Sequence, residues 1–110
     1  INMKTKKINI AIVGFGNIGS YFYKSLHKSK KKIAIKTGST PIIKYICAKN
    51  LSKKRKIKIP HSKWIKNPLK LTTKKDVDVI VELIGGSEGI AKRLIFSALK
   101  NSKHVIQQIN

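Results

Sequence analysis

Apolar residues fill Ile8-Asn9-Ile10-Ala11-Ile12-Val13 with a single polar interruption, and a glycine follows at once. A short apolar run closed by a turn signal predicts a parallel strand covered on both faces. From Ile18 the period changes. Ile18, Tyr21, Phe22 and Leu26 recur at helical spacing among Lys24, Lys28 and Lys30, which predicts a helix to about Ser29. Tyr21, Phe22 and Tyr23 read as packing residues rather than base-stacking ones. Residues 29–41 are basic and contain Gly38, Ser39 and Pro41, so most of this stretch reads as a loop. Within it, Ile33-Ala34-Ile35 could prolong the helix or form a short extended piece. Ile42 to Ala48 then reads as the second strand, with Asn50 and Ser52 as turn or cap residues.

Further on, the alternation ending at Ile57-Lys58-Ile59 suits an edge strand or a solvated linker. Trp64 to Leu69 reads as a loop anchored by Trp64. Val77 to Ile84 is rich in β-branched residues and predicts a strand, which Gly85-Gly86-Ser87 breaks. Glu88 to Asn101 predicts a helix with Ile90, Ala91, Leu94, Ile95, Ala98 and Leu99 on its apolar face and Lys92, Arg93 and Lys100 exposed. Ser87 suits its N-cap, and Glu88 suits the first turn. His104-Val105-Ile106 opens a last strand. The order strand, helix, strand, irregular stretch, strand, helix, strand predicts an α/β, Rossmann-like fold with a mostly parallel sheet and helices on both faces. The later strands of a full doubly wound domain are missing, so the fold is expected to be incomplete at the C-terminus.

Composition adds limits. The 110 residues are 41% hydrophobic, enough for one domain with one core spanning residues 1–110. The net charge of +21 comes from 25 basic residues against 4 acidic ones. Only Arg55 and Arg93 are arginine. Arginine makes most bidentate contacts to bases and phosphates, so its scarcity argues against specific nucleic-acid recognition. Abundant lysine, isoleucine and asparagine read instead as the imprint of an AT-rich gene, with non-specific attraction to polyanions at low salt. Cys47 is the sole cysteine. It allows no internal disulfide, reads as a buried structural thiol and suits a reducing, cytoplasmic setting. No run reaches the length of a membrane span, and the basic N-terminus has no signal-peptide cleavage site. His27, His61 and His104 are scattered surface residues without metal-ligand spacing.

The chemistry concentrates behind the first strand. Gly14-Phe15-Gly16-Asn17-Ile18-Gly19 is G-x-G-x-x-G between a predicted strand and a predicted helix, the context of a dinucleotide-binding turn. Gly14 allows the tight turn, Gly16 leaves room for a pyrophosphate, and Gly19 lets helix and strand pack closely. The helix N-terminus presents N–H groups and a positive dipole end to the phosphates. A site preferring NAD places a carboxylate at the end of the second strand. Here that end reads Ala48-Lys49-Asn50, and no acid occurs between Gly19 and Asp76. Lys49 can meet a 2′-phosphate, which favours NADP with NAD as the alternative; otherwise Lys49 is one more solvated lysine. Gly85-Gly86 at a strand's carboxyl end would admit a nicotinamide ribose or the substrate, or is an ordinary turn. Glu82, deep in an apolar strand, needs a partner and is the acid expected to carry a functional or supporting role. No nucleophile–base pair is evident, so no catalytic residue is assigned.

These residues carry a family resemblance. Ile10 to Gly19 resembles the opening of homoserine dehydrogenases, and so does Asp76 to Gly86 with its Glu-Leu-Ile-Gly-Gly ending. Tyr45 to Asn50 and Lys103 to Ile106 continue the likeness, which runs from about Lys7 to Ile106. It implies a cofactor domain from an enzyme that reduces aspartate semialdehyde to homoserine with NADPH or NADH. It also implies that the backbone at Phe15, Asn17 and Ile18 holds the pyrophosphate. Lys49 would face the adenosine ribose or its phosphate, and Ile84 and Gly85 would lie near the nicotinamide. The family continues past the last strand into Thr-Ala-Asn-Lys, whose lysine serves the active site; here Gln107-Gln108-Ile109-Asn110 stands instead, and that lysine's place falls on Asn110. The chain is therefore expected to be a fragment, inactive alone, of a homo-oligomeric parent. Two alternatives remain open at this stage. One is the cofactor domain of another NAD(P)-dependent oxidoreductase. The other is a basic nucleotide- or nucleic-acid-binding module without catalysis.

Overall fold

The computed structural model describes residues 5–49, 57–84 and 89–108. Its strands are β1 (Lys6–Val13), β2 (Ser39–Cys47), β3 (Trp64–Ile65), β4 (Val79–Glu82) and β5 (His104–Gln107). Its helices are α1 (Asn17–Thr37) and α2 (Ile90–Lys100), with short 3₁₀ helices at His61–Lys63 and Pro68–Thr73. Among the described residues the strands form one sheet in the order β3-β2-β1-β4-β5, every pairing parallel. The Rossmann-like reading holds.

β1 is central because its alternate residues feed two cores, one on each face, rather than the single core that the length suggested. Ile10 and Ile12 pack with Ile43, Ile46 and Val81 beneath Phe22, Tyr23 and Leu26 of α1. Ala11 and Val13 pack with Cys47 and Ile80 beneath Leu94 and Ala98 of α2 and Leu71 of the second 3₁₀ helix. The apolar run 8–13 therefore has no solvent face to advertise, as its sequence indicated.

Several elements differ from the sequence reading. α1 does not stop near Ser29 but runs to Thr37, so Ile33-Ala34-Ile35 prolong the helix, one of the two readings open for them; β2 begins at Ser39, and apart from Gly38 residues 29–41 are helix and strand rather than loop. Lysine is a good helix former, and Ile33 and Ala34 keep one side of the extension half-buried. Gly38 ends the helix in the left-handed region at φ +74°, its N–H donating to the Ala34 carbonyl at 2.9 Å. Pro41 is tolerated inside β2 because β3 pairs only with Ile46 and Cys47, leaving that stretch of β2 at an edge.

The buried stripe of α1 is also narrower than expected. Gly19, Phe22, Tyr23 and Leu26 turn toward the sheet, whereas Ile18 is 53% and Tyr21 74% exposed, so Tyr21 is not a packing residue. Likewise α2 buries Ala91, Leu94 and Ala98 but leaves Leu99 exposed. β4 is shorter than the run 77–84. Trp64 and Ile65, expected in a loop, form β3. Of the stretch ending at Ile57-Lys58-Ile59, expected as an edge strand or a solvated linker, the described residues 57–60 are not a strand; Ser87 and Glu88 lie outside the described residues, and Gly89 caps α2.

Candidate functional site

The carboxyl ends of β1, β2 and β4 converge on the glycine turn. Gly14 leaves β1 with its N–H bonded to the Cys47 carbonyl at 2.8 Å, and Leu83 returns an N–H to the Val13 carbonyl at 2.7 Å. These two bonds lock the exits of the neighbouring strands against the turn. The three glycines do three different jobs. Gly14 has φ +100°, and a Cβ there would stand 3.0 Å from the Ile84 nitrogen. A Cβ on Gly19 would lie 2.6 Å from the Gly14 carbonyl oxygen, closer than packing permits. Gly16 has nothing within 4 Å of a Cβ, so its side faces open space where a ligand can approach the backbone.

α1 begins at Asn17, and no side chain caps its first turn and no acid lies within it. Its leading N–H groups thus face the same open side with the positive end of the helix dipole. Asn17 and Ile18 are exposed there. Phe15 points the other way. Its ring is buried, edge-on to Trp64 at 5.6 Å and to Tyr23 at 6.1 Å between centroids. The turn is therefore pinned to both α1 and β3 by one aromatic side chain, while its backbone stays at the surface. Sequence reading missed the Phe15–Trp64 contact, since a strand of two residues carries no periodic signal.

Lys49 is exposed just beyond the end of β2. Ile84 is 48% exposed at the exit of β4, and its N–H donates to Oε1 of Glu82 at 2.7 Å. Glu82 is fully buried, pairs in register with Val13, and accepts on its own carbonyl from the Gln108 N–H at 3.0 Å. The bond from Ile84 to its carboxylate shapes the bend leaving β4. Gly14 to Gly19 and Ile84 are brought together, Lys49 stands just beyond the end of β2, and Gly85 lies outside the described residues. Asp78 accepts from the Asn9 N–H at 2.8 Å, and Asp76 accepts from the Tyr45 hydroxyl, so both acids serve the scaffold. Among the described residues no group of His, Cys, Asp or Glu could hold a metal, and no helix is long and apolar enough to cross a membrane.

The site has what a dinucleotide phosphate needs: an open glycine backbone, an uncapped helix start and a lysine at the neighbouring strand end. Comparison with known proteins identifies the family. Residues 14–108 match the family model described as homoserine dehydrogenase, NAD binding domain. The homoserine dehydrogenase of Neisseria gonorrhoeae is 36% identical over 101 residues, covering 92% of this chain and 23% of that protein. That of Bacillus subtilis is 32% identical over the same length and shares. Among solved structures, Staphylococcus aureus homoserine dehydrogenase at pH 6.5 superposes with a TM-score of 0.86 at 32% identity, over 96% of this chain and 26% of that one. The enzyme from Thiobacillus denitrificans gives 0.83 at 26% identity, over 96% and 24%. The chain thus spans about a quarter of the length of these relatives.

Proposed function

The chain belongs to the homoserine dehydrogenase family, at its NAD-binding domain, and we propose that it holds NADP(H) for the reduction of aspartate semialdehyde to homoserine. The alternative of a nucleic-acid-binding module is not favoured by this kinship. The observation that carries the reading is the open space over Gly16, set between two glycines whose missing side chains the protein itself fills. Backbone N–H groups at Phe15, Asn17 and Ile18 would bind the pyrophosphate. Lys49 would take the 2′-phosphate of the adenosine ribose, and Ile84 with Gly85 would border the nicotinamide. When bound, the nicotinamide would supply the hydride. This chain's residues bind and orient; none is assigned to proton transfer or to the substrate. Reduction itself is proposed to need the further length that the relatives have, in a homo-oligomeric cytoplasmic enzyme.

Titration calorimetry of the 110-residue chain with NADPH and NADH tests this directly. Gly16→Val should abolish binding while leaving the melting temperature almost unchanged, because the new side chain meets only the ligand's space. Lys49→Glu should weaken NADPH by roughly tenfold to a hundredfold and spare NADH, since it replaces a charge-assisted contact by repulsion. Equal affinity of the unmodified chain for both cofactors would remove the NADP preference. Failure of both to bind would remove the reading of the turn.

A further inference from the structure

A groove of about 550 Å³ opens between the middle of α1, the first half of β2 and residues 57–63. Leu26 and Ile43 line its apolar floor, while Lys24, Lys30, Lys58 and Lys63 surround it, and no described acidic residue lines it. It is separate from the dinucleotide site: no residue of the glycine turn lines it, nor do Lys49 and Ile84.

Lysine is abundant in this chain, so lysines at a groove are not remarkable by number; the direction of one of them is. A surface lysine ordinarily lays its stem on the protein and carries the ammonium outward. Lys63 is half-buried, and its Nζ donates inward to the Ile43 carbonyl on β2. Burial pushes its amine below the ordinary lysine value, and the charges of Lys30 and Lys44 push the same way. Desolvation and two like charges thus act on one ammonium. An anion between Lys63 and Lys30 would oppose both effects at once.

We propose that this groove binds a small phosphate ester or pyrophosphate-type anion, its oxygens held by Lys63, Lys30 and Lys58. The organic part would lie against the floor and the Tyr23 and His27 rings, which stack at 6.2 Å with 6° between planes. The volume falls within the range of about 300–1,000 Å³ usual for small-molecule sites. A recessed groove poor in arginine suits a small ester better than a nucleic-acid strand.

The test uses the full labelled chain and inorganic pyrophosphate at roughly 150 mM salt. Amide shifts are followed with and without NADPH, so that failure of the dinucleotide reading leaves this measurement intact. Saturable shifts are expected at Tyr23 to Lys30, Ile43 and Lys58 to Lys63, whether or not NADPH is present. Lys63→Gln and Lys30→Gln should each weaken pyrophosphate by about tenfold, as expected for loss of a charge-assisted contact. Lys75→Gln, an exposed lysine elsewhere, should leave it unchanged. The proposal falls if the shifts scatter over the lysine surface, sit only at the glycine turn, or never saturate. It also falls if Lys75→Gln costs as much, or if a single-stranded oligonucleotide binds the same amides more tightly. Should Lys63→Gln fail to fold, Lys30→Gln and the shift map still decide.

Discussion

At the scale of single residues, Gly16 and Gly19 look alike in the sequence and are opposite in consequence. A methyl on Gly19 collides with the Gly14 carbonyl at 2.6 Å, within rigid backbone. Gly19→Ala should therefore cost about 1–3 kcal/mol of stability, the usual range for overpacking, measured by urea denaturation. An unchanged midpoint would show that the helix start can slide away from the turn. Cys47 makes a second residue-scale case. Its thiol is buried beside the Lys66 carbonyl, 3.4 Å from Sγ, and burial raises its pKa from 9.0 to about 11. It should resist a thiol reagent at pH 8 in the native chain and react at once in denaturant. Since the folded pKa is the higher one, this contribution to stability is present below pH 9.0 and is lost as pH rises through about 11. Rapid labelling of the native chain at pH 8 would contradict that burial.

At the scale of elements, the legible parts were those where one pattern spoke alone. β1 and the glycine turn could be read because a run buried on both faces ends in glycines whose spacing has few other uses. The end of α1 could not be read, because lysine is compatible with either helix or loop, and Pro41 suggested a break that edge pairing makes unnecessary. β3 was hidden by its length, and the exposure of Tyr21 and Leu99 by phase: an apolar residue at helical spacing need not face the sheet. Gly38 is the true stop of α1. At φ +74° it has open space around it, so Gly38→Ala meets no clash and pays only for the left-handed backbone. That should destabilise the chain by about 1 kcal/mol. A melting curve would check it, and no change would mean that α1 frays before Gly38 without consequence.

At the scale of the whole molecule, charge dominates. The +21 net charge repels itself across a chain of 110 residues, and few acids are present to offset it. Raising sodium chloride from about 0.01 M to about 0.5 M shortens the Debye length several-fold and should raise the melting temperature, by about 4 °C for each kcal/mol of relieved repulsion. Chloride is the proper choice, because phosphate or sulfate would confound screening with occupation of the lysine groove. A melting temperature indifferent to salt would mean that the cations are already spread widely enough not to interact. The same charge explains why composition alone pointed toward polyanions while the glycine turn pointed toward one small cofactor. Charge describes the surface as a whole, whereas Gly14, Gly16 and Gly19 describe one place on it.

Trp64 is the only tryptophan in the chain, and its ring stands edge-on to Phe15 inside the glycine turn, 5.6 Å away. Indole emission overlaps the absorption of a reduced nicotinamide and not that of an oxidised one. A dinucleotide seated on the turn would therefore dim this fluorophore according to its redox state, without any label being attached. The contact that braces the turn also makes the protein its own optical gauge of what the turn carries.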